Sequence, residues 1–128
     1  MIGYATLGSN DIDKALTFYD GLFASVGGKR LMQMPDERQL TFYGVGAGKP
    51  MLAVGKPYDG GTATSGNGTM VALAADSREQ VDQMYAKAIE LGGGDEGAPG
   101  IRGPEQMGFY GAYFRDPDGN KFCAYKMG

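Results

Sequence analysis

Histidine and tryptophan are absent from this chain, and cysteine occurs once, at Cys123. Without histidine there is no side chain whose ordinary titration falls near neutral pH, and the commonest transition-metal ligand is missing. Ser–His and Cys–His nucleophilic arrangements are excluded outright. A single cysteine excludes an intrachain disulfide and fits a reducing compartment. Long apolar runs are also missing. The longest, Met70–Ala75, is far short of the roughly 20 residues a membrane-spanning helix needs. No basic run exceeds Lys29-Arg30, and the net charge is −3, which argues against a nucleic-acid backbone or an anionic membrane surface as partner. The opening MIGYATLGSND has neither the charged leader nor the apolar core of a secretory signal, so a cytoplasmic location is expected.

Glycine, by contrast, is abundant, with 23 residues among 128, and it clusters between periodic segments, where it reads as tight turns. Ile2–Leu7 is a strand candidate. Gly8-Ser9-Asn10 turns the chain, and Asp11 and Asp13 sit in a first helical turn, where the dipole favours anions. Ile12, Ala15, Leu16, Tyr19, Leu22, Phe23 and Val26 then recur at helical spacing, predicting a helix over Asp11–Val26 that Gly27-Gly28 ends. Strands are expected at Lys29–Met34, Arg38–Tyr43 and Met51–Val54. The stretch Lys56–Thr69 is rich in turn formers and reads as a linker.

After the linker the pattern restarts. Met70–Ala75 is a strand, and Ser77 with Gln80 has capping-box spacing ahead of a second helix whose stripe is Val81, Met84, Tyr85, Ala88 and Ile89. Gly92-Gly93-Gly94 ends it. A looser segment, Asp95–Gln106, precedes two aromatic-rich strands, Phe109–Arg115 and Lys121–Tyr125, joined by Asp116-Pro117-Asp118-Gly119-Asn120. Strand, helix, glycines and three strands therefore occur twice, with an offset of about 66 residues. The expected class is α+β. Residues 1–55 form one βαβββ module, 56–69 a linker, and 70–128 a second module.

YATLGSNDIDKALTFY at Tyr4–Tyr19, DPDGN at Asp116–Asn120 behind Tyr113-Phe114, and the restart at Val71–Ala75 together carry a resemblance. The chain resembles the vicinal-oxygen-chelate superfamily, which includes glyoxalase I, the bleomycin- and fosfomycin-resistance proteins and the extradiol dioxygenases. The resemblance covers nearly the whole chain. It implies two tandem βαβββ modules whose mixed sheet curves into a cup with the helices on its outer face, commonly completed by a second copy in a homodimer.

The resemblance also implies a divalent metal in the cup, held by His or Glu/Gln. Through the repeat, the ligand positions fall near Tyr4, Leu52, Met70 and Cys123, none of which suits a hard cation or a zinc site. Loss of the metal, and no other cofactor, is the expectation. Strand alternation adds Tyr43, Tyr113, Arg115 and Tyr125 to the cup lining. A lining of Tyr, Met and Leu with a charge at its rim suits a small aromatic or amphipathic ligand. Two other readings stay open. One is a glyoxalase-related lyase or dioxygenase with an atypical metal site, and the other is a structural or regulatory dimer whose cup is filled by its own side chains. Cys123, with no histidine to activate it, reads as a small buried residue with Lys121 on its face of the strand.

Overall fold

A computed structural model describes residues 1–128. Its elements follow the duplicated order: β1 (Tyr4–Gly8), α1 (Ile12–Ala24), β2 (Lys29–Gln33), β3 (Thr41–Gly44), β4 (Met51–Gly55), β5 (Val71–Ala74), α2 (Arg78–Glu90), β6 (Gly94–Ile101), β7 (Phe109–Arg115) and β8 (Lys121–Met127). Local chemistry explains both helix starts. The Asp11 carboxylate accepts from the Lys14 amide at 3.2 Å, and Ser77 Oγ accepts from the Gln80 amide at 3.1 Å. Gln80 Oε1 reaches back to the Asp76 amide at 2.7 Å, one residue before the reciprocal partner of a standard capping box. Behind the helices, Gly27 and Gly92 take left-handed φ of 79° and 91°, which a side chain would resist.

Each module forms one four-stranded mixed sheet, ordered β1-β4-β3-β2 and β5-β8-β7-β6. The first strand of each runs parallel to the last (β1 with β4, β5 with β8), and the other pairs are antiparallel. The fold is thus α+β with tandem βαβββ modules, its mixed sheet divided into two halves that share no strand pairing. The segment read as loose, Asp95–Gln106, is mostly strand: β6 pairs with β7 through two register shifts.

Both helices cover one side of the sheets, and one continuous core runs through both modules. Its first-module part includes Leu7, Leu16, Leu22, Phe23, Tyr43, Leu52 and Val54, and its second-module part includes Val81, Met84, Phe114 and Phe122. Helix α1 sits at the seam. Tyr19 packs against Phe122 with ring centroids 5.9 Å apart, and Phe18 lies over Gly93.

The DPDGN turn closes this seam. The buried Asp116 carboxylate accepts the Tyr19 hydroxyl, the Asn120 side-chain amide at 2.9 Å, and the backbone amides of Asp118 and Asn120 at 2.9 and 2.8 Å. Asn120 also donates to the Gly8 carbonyl at 3.1 Å, and Asp118 accepts from the Asn10 amide at 2.9 Å. Buried polar groups are tolerated when their hydrogen bonds are complete. The linker is fastened by the same corner, for the Asn10 side chain both donates to and accepts from the Ala63 backbone at 3.0 and 2.7 Å.

Candidate functional site

Each sheet has one face under the helices and one free of them. Because side chains alternate, register decides which residues reach the helix-free face. In the first module these are Tyr4 and Thr6 on β1, Phe42 on β3, and Met51 and Ala53 on β4. Tyr4 meets Phe42 edge-on with ring centroids 5.1 Å apart.

Two expected lining residues, Tyr43 and Leu52, lie on the opposite side. They pair with each other across β3 and β4 and are buried against α1. The Tyr43 hydroxyl donates to Asp20 at 2.8 Å, and burial together with that carboxylate raises its pKa beyond the ordinary tyrosine range. The physical reason is a one-residue slip. Strand β3 begins at Thr41, and the first-module counterpart of Cys123, by pairing with the parallel first strand, is Ala53 rather than Leu52. Met70 was expected in a strand over Met70–Ala75, but β5 begins at Val71, and Met70 stands exposed just before it.

The other four candidates share one surface. Tyr113 pairs with Cys123 across β7 and β8, Arg115 with Lys121, and Gly111 with Tyr125, all on the helix-free face of the second sheet. Phe109 lies over Gly111, where any Cβ would come within 2.7 Å of its ring. It stacks on Tyr125 with centroids 5.3 Å apart and planes 4° from parallel. Cys123 is 1% exposed beneath these rings. Burial pushes its thiol up despite the opposing influence of Tyr113, Arg102 and Lys121, so it sits protonated and is a poor nucleophile at neutral pH. Arg115 is not free to meet a ligand, since it pairs with Glu96 and donates to the Gly119 carbonyl at 2.7 Å.

Sequence reasoning missed Arg102. Its guanidinium stands 5.6 Å from the centroid of the Tyr113 ring, and the Lys121 ammonium stands 5.6 Å from the same centroid. Two cations therefore address one aromatic ring. The segment that carries Arg102 is irregular and rich in glycine, so no alternation marked its inward face.

A divalent metal does not fit the donors present. The faces expected to hold it offer Tyr4, Thr6 and Ala53 in one module and Met70, Ala72 and Cys123 in the other, and nowhere do three His, Cys, Asp or Glu side chains converge. No helix is long and apolar enough to cross a membrane. A cavity of about 260 Å³ lies away from both sets of rings, at the end of β1 and β4 beneath the linker, among Thr6, Arg38, Lys56, Thr62 and Thr64.

Comparison with known proteins agrees with this architecture. A family model described as the Glyoxalase/Bleomycin resistance protein/Dioxygenase superfamily matches residues 1–124. A glyoxalase/bleomycin resistance protein from Albidiferax ferrireducens T118 superposes with a TM-score of 0.82 at 35% identity, covering 98% of each chain. A lactoylglutathione lyase from Agrobacterium tumefaciens is 25% identical with a TM-score of 0.68, covering 98% of this chain and 92% of that one. A glyoxalase-related enzyme from Fulvimarina pelagi, 20% identical with a TM-score of 0.74, shares the fold over 98% of this chain and 87% of its own. Among curated proteins none matches. The chain belongs to the Glyoxalase/Bleomycin resistance protein/Dioxygenase superfamily.

Proposed function

We propose that this protein binds a small aromatic or amphipathic molecule, without a metal, on the helix-free face of its second sheet. The observation that carries the reading is the surface around Tyr113. There the half-buried Tyr113 ring and the stacked Phe109–Tyr125 pair lie side by side over a buried, protonated Cys123. Flat rings held by pleat and stacking offer apolar area at little cost in conformational entropy, and their hydroxyls fix orientation. The poor donor set for a metal supports binding over the metal-dependent chemistry of the superfamily's lyases and dioxygenases.

A homodimer in the cytoplasm belongs to the same reading. The surface is open within one chain, and Tyr4, Met32, Met70 and Met127 stay substantially exposed, so a second copy would bury apolar area and close the site.

Titration with small aromatic compounds, followed by tyrosine fluorescence and calorimetry, tests the proposal. Tryptophan is absent, so the tyrosine signal is unobstructed. Tyr113→Ala should abolish binding while the melting temperature stays near that of the parent. Stoichiometric metal in the purified protein, with turnover that depends on it, would overturn the reading.

A further inference from the structure

We infer that the ligand of the Tyr113 surface is a small aromatic anion, its acid group neutralised by Arg102 and Lys121. This rests on the binding reading above and adds the sign of the charge.

The chain has three ion pairs, Arg30–Asp20, Lys87–Glu90 and Arg115–Glu96. Neither Arg102 nor Lys121 is in them. Glu96, which reaches this surface, is already taken by Arg115, whose second nitrogen holds the Gly119 carbonyl. Two half-buried cations thus flank one ring with no carboxylate paired to either, in a protein whose net charge is −3. An anion arriving there meets two cations that no carboxylate has neutralised, and it can form charge-assisted hydrogen bonds with them.

Arg102 is also held in place by its surroundings. Its amide donates to the Phe109 carbonyl at 2.9 Å, extending the β6–β7 ladder by one step and setting the side chain on the same face as Phe109 and Tyr113. From there the guanidinium folds back along β6 and donates to the Ala98 carbonyl at 2.5 Å. It can do so because two positions beneath it are glycine. A Cβ on Gly97 would stand 3.1 Å from one guanidinium nitrogen, and a Cβ on Gly100 would stand 3.0 Å from the other. The glycines that hid this strand in the sequence form the slot in which the arginine lies. That single use of Nη2 leaves further guanidinium donors for a planar oxyanion, which arginine can grip by two parallel bonds. A ring attached to that anion then falls against Tyr113 and the Phe109–Tyr125 stack.

The test is calorimetric titration with 2-naphthoate and its neutral isostere 2-naphthamide, against the parent, Arg102→Met, Lys121→Met and Gly100→Ala, with naphthyl phosphate as a second anion. The parent should bind naphthoate about tenfold or more tightly than the amide, as one charge-assisted hydrogen bond implies. Each Met variant should lose about tenfold for the anion and little for the amide. Gly100→Ala, which keeps both charges but crowds the slot, should weaken only the anion. Tighter binding of the phosphate than of the carboxylate also supports the inference and identifies the anion class. Equal binding of acid and amide, or unchanged naphthoate affinity in both Met variants, overturns the anionic assignment while the binding reading stands. Failure of every probe to bind the parent overturns both.

Discussion

Replacing Tyr19 with Phe removes one oxygen from the seam between the modules and leaves the ring packing intact. Tyr19 is fully buried and its hydroxyl donates to Asp116. Burial, Asp116 and Asp118 raise the phenol well above the ordinary tyrosine range, so it remains a donor at every pH of interest. A buried carboxylate that loses one of its donors costs about 1–3 kcal/mol. With an unfolding entropy of about 2.1 cal/mol/K per residue over 128 residues, a loss of about 2 kcal/mol lowers the melting temperature by about 7 °C.

The pH dependence gives a sharper test. Burial raises the Asp116 carboxyl above its ordinary value, and the Tyr19 and Asn120 donors oppose that rise. The folded state therefore holds this proton more tightly than the unfolded one. The stability it contributes is fully present below the ordinary carboxylate pKa and is lost as pH rises through the folded value. Because Tyr19 favours the ionised form, Tyr19→Phe pushes the carboxyl higher still. The destabilisation should be full near pH 7.5 and should shrink toward about pH 4. Urea denaturation of both proteins at the two pH values measures this. A melting temperature within about 2 °C of the parent, or the same loss at both pH values, would refute the account of the seam.

Three further outcomes are expected. Gly93→Ala places a Cβ 2.6 Å from the Arg115 carbonyl and 2.8 Å from that of Ala88, backbone atoms that cannot give way, so thermal melting should show a loss of about 1–3 kcal/mol. Gly46→Ala, with nothing within 4 Å, is the matched control and should be near neutral. In Asp20, burial acts to raise the carboxyl, but hydrogen bonds from Arg30 and Tyr43 outweigh it and hold it below its ordinary value. Asp20→Asn should thus cost stability at neutral pH, by no more than about 1 kcal/mol for so exposed a pair, and the cost should vanish as acid protonates the parent. Native Cys123 should react with a disulfide reagent far more slowly than the urea-unfolded chain, and equal rates would contradict its burial.

What could be read in advance follows the range of the forces involved. The caps at Asp11 and Ser77, the glycine stops and the Asp116–Asn120 turn are set by residues within a few positions of one another. The residues alone therefore revealed two helices, the duplicated order of elements and the last hairpin. Four of the expected lining residues, Tyr113, Arg115, Cys123 and Tyr125, do share one face, because β7 and β8 alternate regularly. Tyr43 and Leu52 went to the wrong face because strand alternation has a period of two, and a slip of one residue exchanges the faces.

Arg102 was missed for a different reason. Its strand is built of glycines with two register shifts, so it has no alternation to read. The seam was out of reach as well. Asp116 and Asn120 are distant in the chain from Tyr19 and Gly8, and only tertiary packing brings the last turn onto the first helix. By itself the sequence determined the elements, their doubling and a chain without histidine ligands, all of which are local or compositional. Tertiary structure alone decided which aromatic rings lie beside Arg102 and Lys121 and which carboxylate joins the modules. Those pairings depend on strand register and on packing between distant segments, and no local pattern encodes either.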